Sequence, residues 1–148
     1  ASVPASGTGI AEPTDSSIER HSVKTTPTIL IADRNPYVRR FLQRELTNAG
    51  YEVLLAENGR QVIFWIDRHA SLDLAILDPD LPDTDAATLF ENLHHRIPRI
   101  PIVVHSHRGE DMDCVGGSGV WFVEKRGNSI EGIIQMVGDI LAARTPAM

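Results

Sequence analysis

The sequence has a single cysteine, Cys114, so an internal disulfide is excluded, and a lone cysteine fits a reducing compartment. It also lacks any apolar run near the roughly 20 residues that a membrane-spanning helix needs. Its first residues contain no apolar core like that of a signal peptide. We therefore expect a cytoplasmic protein without membrane association.

Long basic runs are missing as well. The longest is Arg39-Arg40, and the formal net charge is −6, with an isoelectric point near 5.4. Domains that bind nucleic acid normally carry a basic patch, so no nucleic-acid partner is expected. The 148 residues, 42% of them hydrophobic and 23% charged, are sufficient for one globular domain with a substantial core.

The beginning of the chain differs in composition from the rest. Residues 1–27 are rich in Ser, Thr, Pro, Gly and Ala, and their large hydrophobic residues occur only singly. Such a segment buries too little apolar surface to offset the entropy of ordering its chain. We predict a flexible N-terminal extension over residues 1–27 and one folded domain over residues 28–148.

Short apolar runs alternate with helical patterns after Thr28. Five runs are typical of buried strands and lie at 29–32, 53–55, 74–77, 102–104 and 120–123. The stretches between them repeat apolar residues three or four positions apart, as amphipathic helices do. This alternation predicts an α/β fold with an open, doubly wound, five-stranded parallel sheet. The helix expected between His107 and Gly119 should be short or frayed, because that segment contains several glycines.

Polar side chains lie just beyond four of the predicted strands. They are Asp33, Asp78, Ser106 and Lys125. Parallel strands end at one edge of the sheet, and open α/β sheets bind ligands at that edge. Two neighbouring carboxylates repel each other unless a cation lies between them. The sequence therefore predicts a site for a divalent cation such as Mg²⁺, for Lys125 as the counter-ion, or for both.

The segments at these strand ends resemble the response-regulator receiver domains of two-component signalling. The resemblance covers about residues 28–144 and is carried in order by "ILIADRNPYVRR", "LAILDPDLPDTDA", "PIVVHS" and "VWFVEK". It implies a flavodoxin-like sheet with the strand order 2-1-3-4-5. It also implies a phosphoprotein of a phosphorelay, with a histidine kinase or phosphotransfer protein as its partner.

The resemblance assigns roles to individual residues. Asp78 would be the phosphoacceptor, and Asp33 would belong to the acidic pocket. The cofactor Mg²⁺ would be held by Asp33, Asp78 and the backbone carbonyl of Asp80. Lys125 would bind the phosphoryl group.

The same likeness makes Ser106 the switch hydroxyl and Phe122 the aromatic residue that moves with it. Phe122 also fits an ordinary position in the core. The side chains of Asp80, Asp83 and Asp85 are expected to solvate their loop, and Asp85 is also well placed to cap the third helix.

Three positions depart from the family pattern. Arg34 replaces a second acid and should weaken Mg²⁺ binding, because it removes a ligand and adds a positive charge. Arg126 stands where a proline usually follows the lysine, and Ala86 where a glycine usually closes the loop. Arg34 and Arg126, together with the short fourth helix, favour an alternative, a pseudo-receiver that binds a protein independently of phosphorylation. Arg34 itself either turns inward as a built-in counter-ion or points into solvent.

An enzyme is a further alternative. "DPDLPDT" resembles the nucleophile motif of haloacid-dehalogenase-type phosphatases, with Asp78 as nucleophile and Asp80 as general acid. That motif normally lies on the first strand of the chain, and here it lies on the third. Two pairs of histidines, 94–95 and 105 with 107, lack the spacing of a tetrahedral zinc site. We therefore expect no enzyme activity beyond autocatalytic phosphoryl acceptance, and the sequence leaves the output partner and a homodimer open.

Overall fold

The computed structural model describes residues 26–69, 71–95, 99–107 and 119–144. Along the chain its elements are β1 (Thr28–Ala32), α1 (Pro36–Asn48), β2 (Glu52–Ala56), α2 (Gly59–Arg68), β3 (Leu72–Leu77), α3 (Ala86–His94), β4 (Ile102–Ser106), β5 (Val120–Glu124) and α4 (Ser129–Arg144). The five predicted strands are confirmed. Nearly all of the predicted extension 1–27, the helix predicted between His107 and Gly119, and Cys114 lie outside the described residues.

The strands form one parallel sheet in the order β2-β1-β3-β4-β5, which confirms the predicted fold class and strand order. Every residue of β1 and β4 is buried, because the sheet has helices on both faces. Strands covered on both faces carry continuous rather than alternating apolar residues, which is the pattern these segments show. All five carboxyl ends therefore meet at one edge.

Helices pack on the two faces of this sheet as separate layers. On one face, α2 and α3 contribute the buried side chains Val62, Leu89, Phe90 and Leu93. On the other face, α1 and α4 contribute Leu42, Leu46, Ile133 and Val137. Burying one such side chain contributes about 1.5–3 kcal/mol, so both layers hold the strand ends in fixed positions. No helix within the described ranges is both long and apolar enough to span a membrane.

The connection from β1 into α1 is set by local backbone chemistry. The Asn35 side chain caps the helix by accepting hydrogen bonds from the amides of Tyr37 and Val38. Pro36 occupies the first helical turn, where its missing N–H costs no helical hydrogen bond. Gly50 closes the far end with a φ of +98°, a conformation that favours glycine. Asp33 is thereby fixed between the end of β1 and the cap of α1.

Candidate functional site

Three of the predicted site residues meet at the carboxyl edge of the sheet. Asp33 follows β1, Asp78 follows β3 and Lys125 follows β5. The sheet ladder continues into them, since the Asp78 amide donates to Ala32 O at 2.8 Å and the Lys125 amide to Ser106 O at 2.8 Å. Asp33 and Asp78 are buried, with exposed fractions of 2% and 5%. The sequence prediction that these side chains share one rim is confirmed for this set.

One ammonium group joins the two buried acids. Lys125 Nζ lies 3.0 Å from Asp33 Oδ2 and 2.9 Å from Asp78 Oδ2. The other oxygen of each carboxylate accepts a backbone hydrogen bond, from Asn35 N to Asp33 Oδ1 and from Asp80 N to Asp78 Oδ1, both at 2.9 Å. Every oxygen of the two carboxylates therefore has a donor, as buried charged groups require.

The electrostatics of this cluster follow from burial and from the shared cation. Burial raises the pKa of Asp33, because its carboxylate loses solvation, while the Asn35 amide and the Lys125 ammonium act in the opposite direction. Burial alone would lower the pKa of Lys125, but contacts with Asp78 and Asp33 outweigh it, and the pKa of Lys125 is raised. Lys125 therefore stays charged at neutral pH and compensates one of the two negative charges.

Arg34 lies outside this cluster. Its Nη1 atom is 3.6 Å from Asp80 Oδ2, and both side chains are more than half exposed. Of the two orientations open to Arg34, the structure has the outward one, and Lys125 is the counter-ion of the buried acids. Pairs as exposed as Arg34 and Asp80 contribute little to stability. Both charges nevertheless act electrostatically on any ion that approaches the rim.

The two proposed switch residues occupy different environments. Ser106 is 4% exposed at the end of β4, and its carbonyl oxygen accepts the Lys125 amide. Phe122 on β5 is 39% exposed. The interpretation of Phe122 as an ordinary core residue is therefore wrong, because β5 is the edge strand of the sheet and part of the ring faces solvent.

Two loop carboxylates have structural partners beyond solvent. Asp85 caps α3 by accepting the Thr88 amide at 2.7 Å, which confirms the predicted cap. Asp83 accepts the amides of Gly59 at 2.6 Å and Arg60 at 3.1 Å and so binds the amino end of α2. These backbone hydrogen bonds lower the pKa of both Asp83 and Asp85. The expectation that Asp83 merely solvates its loop is wrong, because its carboxylate complements the positive end of a helix dipole.

Sequence reasoning also missed Arg39, whose guanidinium donates to the Asp33 carbonyl oxygen at 2.7 Å. Arg39 lies on the second turn of α1 and supports the backbone of the acidic residue from there. Helical spacing places Arg39 near the start of α1, but it does not encode the backbone position of Asp33. No residue pattern would have marked this contact.

A hard divalent cation fits the donor set only weakly. Mg²⁺ commonly binds through one or two carboxylates and keeps several of its waters. Asp33 and Asp78 supply two buried carboxylates, and the Asp80 carbonyl is next along the loop. Among the described residues no group of three His, Cys, Asp or Glu side chains could enclose a metal ion. A cation at this edge would also have to share both carboxylates with Lys125.

A comparison with family models agrees with this fold. The model of the response regulator receiver domain matches residues 29–121. The curated response regulator GtcR of Aneurinibacillus migulanus is 29% identical over 119 residues, which cover 78% of this chain and 48% of the relative. The DNA-binding transcriptional regulator NtrC of a Bradyrhizobium strain is 30% identical over 116 residues, covering 77% of this chain and 24% of the relative. The chain thus spans about half the length of these relatives or less.

Solved structures agree on the fold. A response regulator receiver protein from Sinorhizobium medicae superposes with a TM-score of 0.73 at 24% identity, over 82% of this chain and 98% of that chain. The response regulator TrrA from Thermotoga maritima, solved in complex with Mg²⁺ and BeF, gives a TM-score of 0.69 at 22% identity. That match covers 78% of this chain and 99% of TrrA.

Proposed function

Because the chain belongs to the response regulator receiver domain family, we propose that it accepts a phosphoryl group on Asp78 from a histidine kinase or phosphotransfer protein. The observation that carries this proposal is the shared cation, with Lys125 Nζ 2.9 Å from Asp78 Oδ2 and 3.0 Å from Asp33 Oδ2. Asp78 is buried at the strand end yet lies on the edge where α/β sheets bind ligands. Acceptance would change the conformation of this edge and so transmit a signal.

The transfer would run from a phosphohistidine to the aspartate. An oxygen of Asp78 attacks phosphorus, the phosphorus–nitrogen bond breaks, and the bond's electron pair returns to the imidazole of the donor. The product is an acyl phosphate on Asp78. Phosphoryl transfer depends on positioning and on neutralising charge around the transferred group. Lys125 supplies one fixed positive charge at the attacking carboxylate.

Asp33, Asp78 and the carbonyl oxygen of Asp80 are the groups that would hold Mg²⁺. When bound, Mg²⁺ neutralises charge on the phosphoryl oxygens. Arg34 adds a positive charge on the solvent side of Asp80, 3.6 Å from its carboxylate. We therefore propose that Mg²⁺ binds weakly.

Ser106 and Phe122 are the proposed reporters of this reaction. The Ser106 hydroxyl lies on β4, and its backbone carbonyl is bonded to the Lys125 amide. A shift of Lys125 toward a phosphoryl group would pull on this hydrogen bond. Phe122 lies on β5 and its side chain is partly exposed, so its ring has room to change orientation.

Labelling with a small phosphodonor tests the proposal. Acetyl phosphate with Mg²⁺ should add one phosphoryl group to the wild type and none to Asp78→Asn, as measured by intact mass. Asp80→Asn is the matched control: it keeps the backbone carbonyl, so it should still be labelled. Lys125→Ala should still accept the group but show a weaker conformational response.

Equal labelling of the wild type and Asp78→Asn would place the acceptor elsewhere. No labelling of a folded wild type with either acetyl phosphate or phosphoramidate would favour the pseudo-receiver, a protein-binding module that works without phosphorylation.

A further inference from the structure

A buried histidine lies beside the site and takes no part in the chemistry proposed above. His105 is 2% exposed on β4, immediately before Ser106. Its Nε2 atom lies 2.8 Å from the hydroxyl of Ser129, the first residue of α4. This contact joins two segments that are 24 residues apart in the chain.

The hydrogen-bond pattern fixes which imidazole nitrogen carries the proton. Ser129 Oγ donates its single hydrogen to the carbonyl oxygen of Arg126 at 2.9 Å. The hydroxyl can therefore only accept from His105, so Nε2 is the protonated nitrogen and Nδ1 is a bare acceptor. Nδ1 is buried and has no hydrogen-bond partner within the described parts of the chain.

The hydrogen bonds of Ser129 close the turn that follows Lys125. The Arg126 carbonyl accepts both the Ser129 hydroxyl at 2.9 Å and the Ser129 amide at 3.1 Å. His105 attaches this turn, residues 126–129, to β4. On the other side of Lys125 lies β5, an edge strand that pairs only with β4 in the described sheet.

A lysine side chain is flexible, so its ammonium contacts two carboxylates together only if its backbone is held in place. One backbone support of Lys125 is the hydrogen bond that its amide donates to Ser106 O, and the other is the turn 126–129. We infer that His105 is a positioning residue for Lys125, acting through Ser129 to hold that turn against β4. Its consequence for phosphoryl transfer rests on the proposed function, whereas the contact itself belongs to the unphosphorylated protein.

Chemical modification of lysine tests this role without any phosphodonor. The chain contains two lysines, Lys24 and Lys125, so peptide mass spectrometry can follow reductive methylation at Lys125 while Lys24 reports the reagent dose. Ser129→Ala and His105→Val should each methylate at Lys125 about tenfold faster than the wild type, because a supporting hydrogen bond is lost. Ser129→Thr keeps the hydroxyl and should keep the wild-type rate.

A matched control separates positioning from general destabilisation. Thr28→Ala removes a buried hydroxyl that donates to Glu52 at 3.0 Å, at the opposite edge of the sheet. It should lower stability and leave the Lys125 rate unchanged. An unchanged rate in folded Ser129→Ala, or an equal rise in Thr28→Ala, would overturn the inference, and would do so even if His105→Val does not fold. Asp78 labelling is measured separately, so failure of either proposal is distinguishable from failure of the other.

Discussion

The ammonium of Lys125 lies 2.9 Å from Asp78 Oδ2, which joins two residues 47 positions apart at the edge of the sheet. The same nitrogen also contacts Asp33 at 3.0 Å. One cation therefore serves two buried acids. Removing it leaves two uncompensated carboxylates, whereas removing one acid leaves a pair.

Lys125→Met should lower the free energy of unfolding at pH 7 by about 3 kcal/mol, the scale at which breaking a buried ion pair destabilises proteins. Without the ammonium the pKa of Asp33, already raised by burial, rises further. The folded state then binds protons more readily than the unfolded state, so the loss relative to the wild type should shrink as pH falls. Urea unfolding between pH 4 and 8 measures this, and Lys125→Arg, which keeps the charge, should lose less. Full stability of Lys125→Met at pH 7 would contradict the shared-cation account.

Arg34→Asp should increase Mg²⁺ affinity about tenfold, because a carboxylate replaces a cation beside Asp80. Titration with Mg²⁺, followed by Trp65 and Trp121 fluorescence and by melting temperature, measures the change. Arg40→Asp is the control, since Arg40 is also exposed and gives the same change in net charge. Equal gains in both variants would show that total charge, and not the position of Arg34, sets the affinity.

His105 should make the fold sensitive to acid. Burial, together with the charges of Lys125 and His107, lowers the pKa of His105 from 6.5 to about 4. The unfolded chain then binds a proton at His105 more readily than the folded protein does. The contribution of neutral His105 to stability is therefore complete above pH 6.5 and is lost as pH falls from 6.5 toward 4.

His105→Val should remove this pH dependence. The difference between the unfolding free energies of the wild type and the variant, plotted against pH, should then have a slope that approaches about 1.4 kcal/mol per pH unit. His95→Gln, at an exposed position, should leave the wild-type slope unchanged. Parallel pH dependences for the wild type and His105→Val would show that His105 does not resist protonation in the folded state.

Gly59→Ala should destabilise the loop that carries Asp78. An added Cβ would lie 2.5 Å from Thr84 Cγ2 and 3.1 Å from Asp83 Oδ1, so the loop would have to move away from α2. Overpacking of this kind costs about 1–3 kcal/mol. Thr84→Ser removes the nearest methyl and should restore part of the loss in the double variant.

Gly127→Ala is the matched control, because a Cβ there meets no atom within 4 Å. Urea unfolding measures both glycine variants. If Gly59→Ala is as stable as Gly127→Ala, the approach of the loop to α2 does not limit the packing.

The fold could be predicted from sequence because each buried strand is a continuous apolar run between helical patterns. Periodicity does not say which strands are neighbours, so the order 2-1-3-4-5 depended on the family resemblance. Asp33, Asp78 and Lys125 could be placed together because parallel strands end at the same edge. Phe122 could not be placed, since its exposure depends on what covers β5 and no residue pattern records that.

Two of the missed contacts join residues that are far apart in the chain. Asp83 binds the amide of Gly59 across 24 positions, and His105 binds Ser129 across 24 positions. A cap within one helix, such as Asp85 with Thr88, has a fixed spacing that a sequence shows. A cap supplied by another loop has no fixed spacing, because its distance along the chain depends on the whole topology.

The carboxylate of Asp83 on the amino end of α2 has a consequence for the order in which the molecule loosens in acid. Its pKa is lowered, so it keeps its charge and its hold on Gly59 and Arg60 as the medium acidifies. His105, on the other flank of the site, takes up a proton near pH 4 and then carries a charge close to Lys125. The proton adds to the buried Nδ1 and leaves the hydrogen bond from Nε2 to Ser129 in place, so its cost is a second positive charge near Lys125. Acid should therefore destabilise the β4 side of the site before it frees the loop of Asp78 from α2.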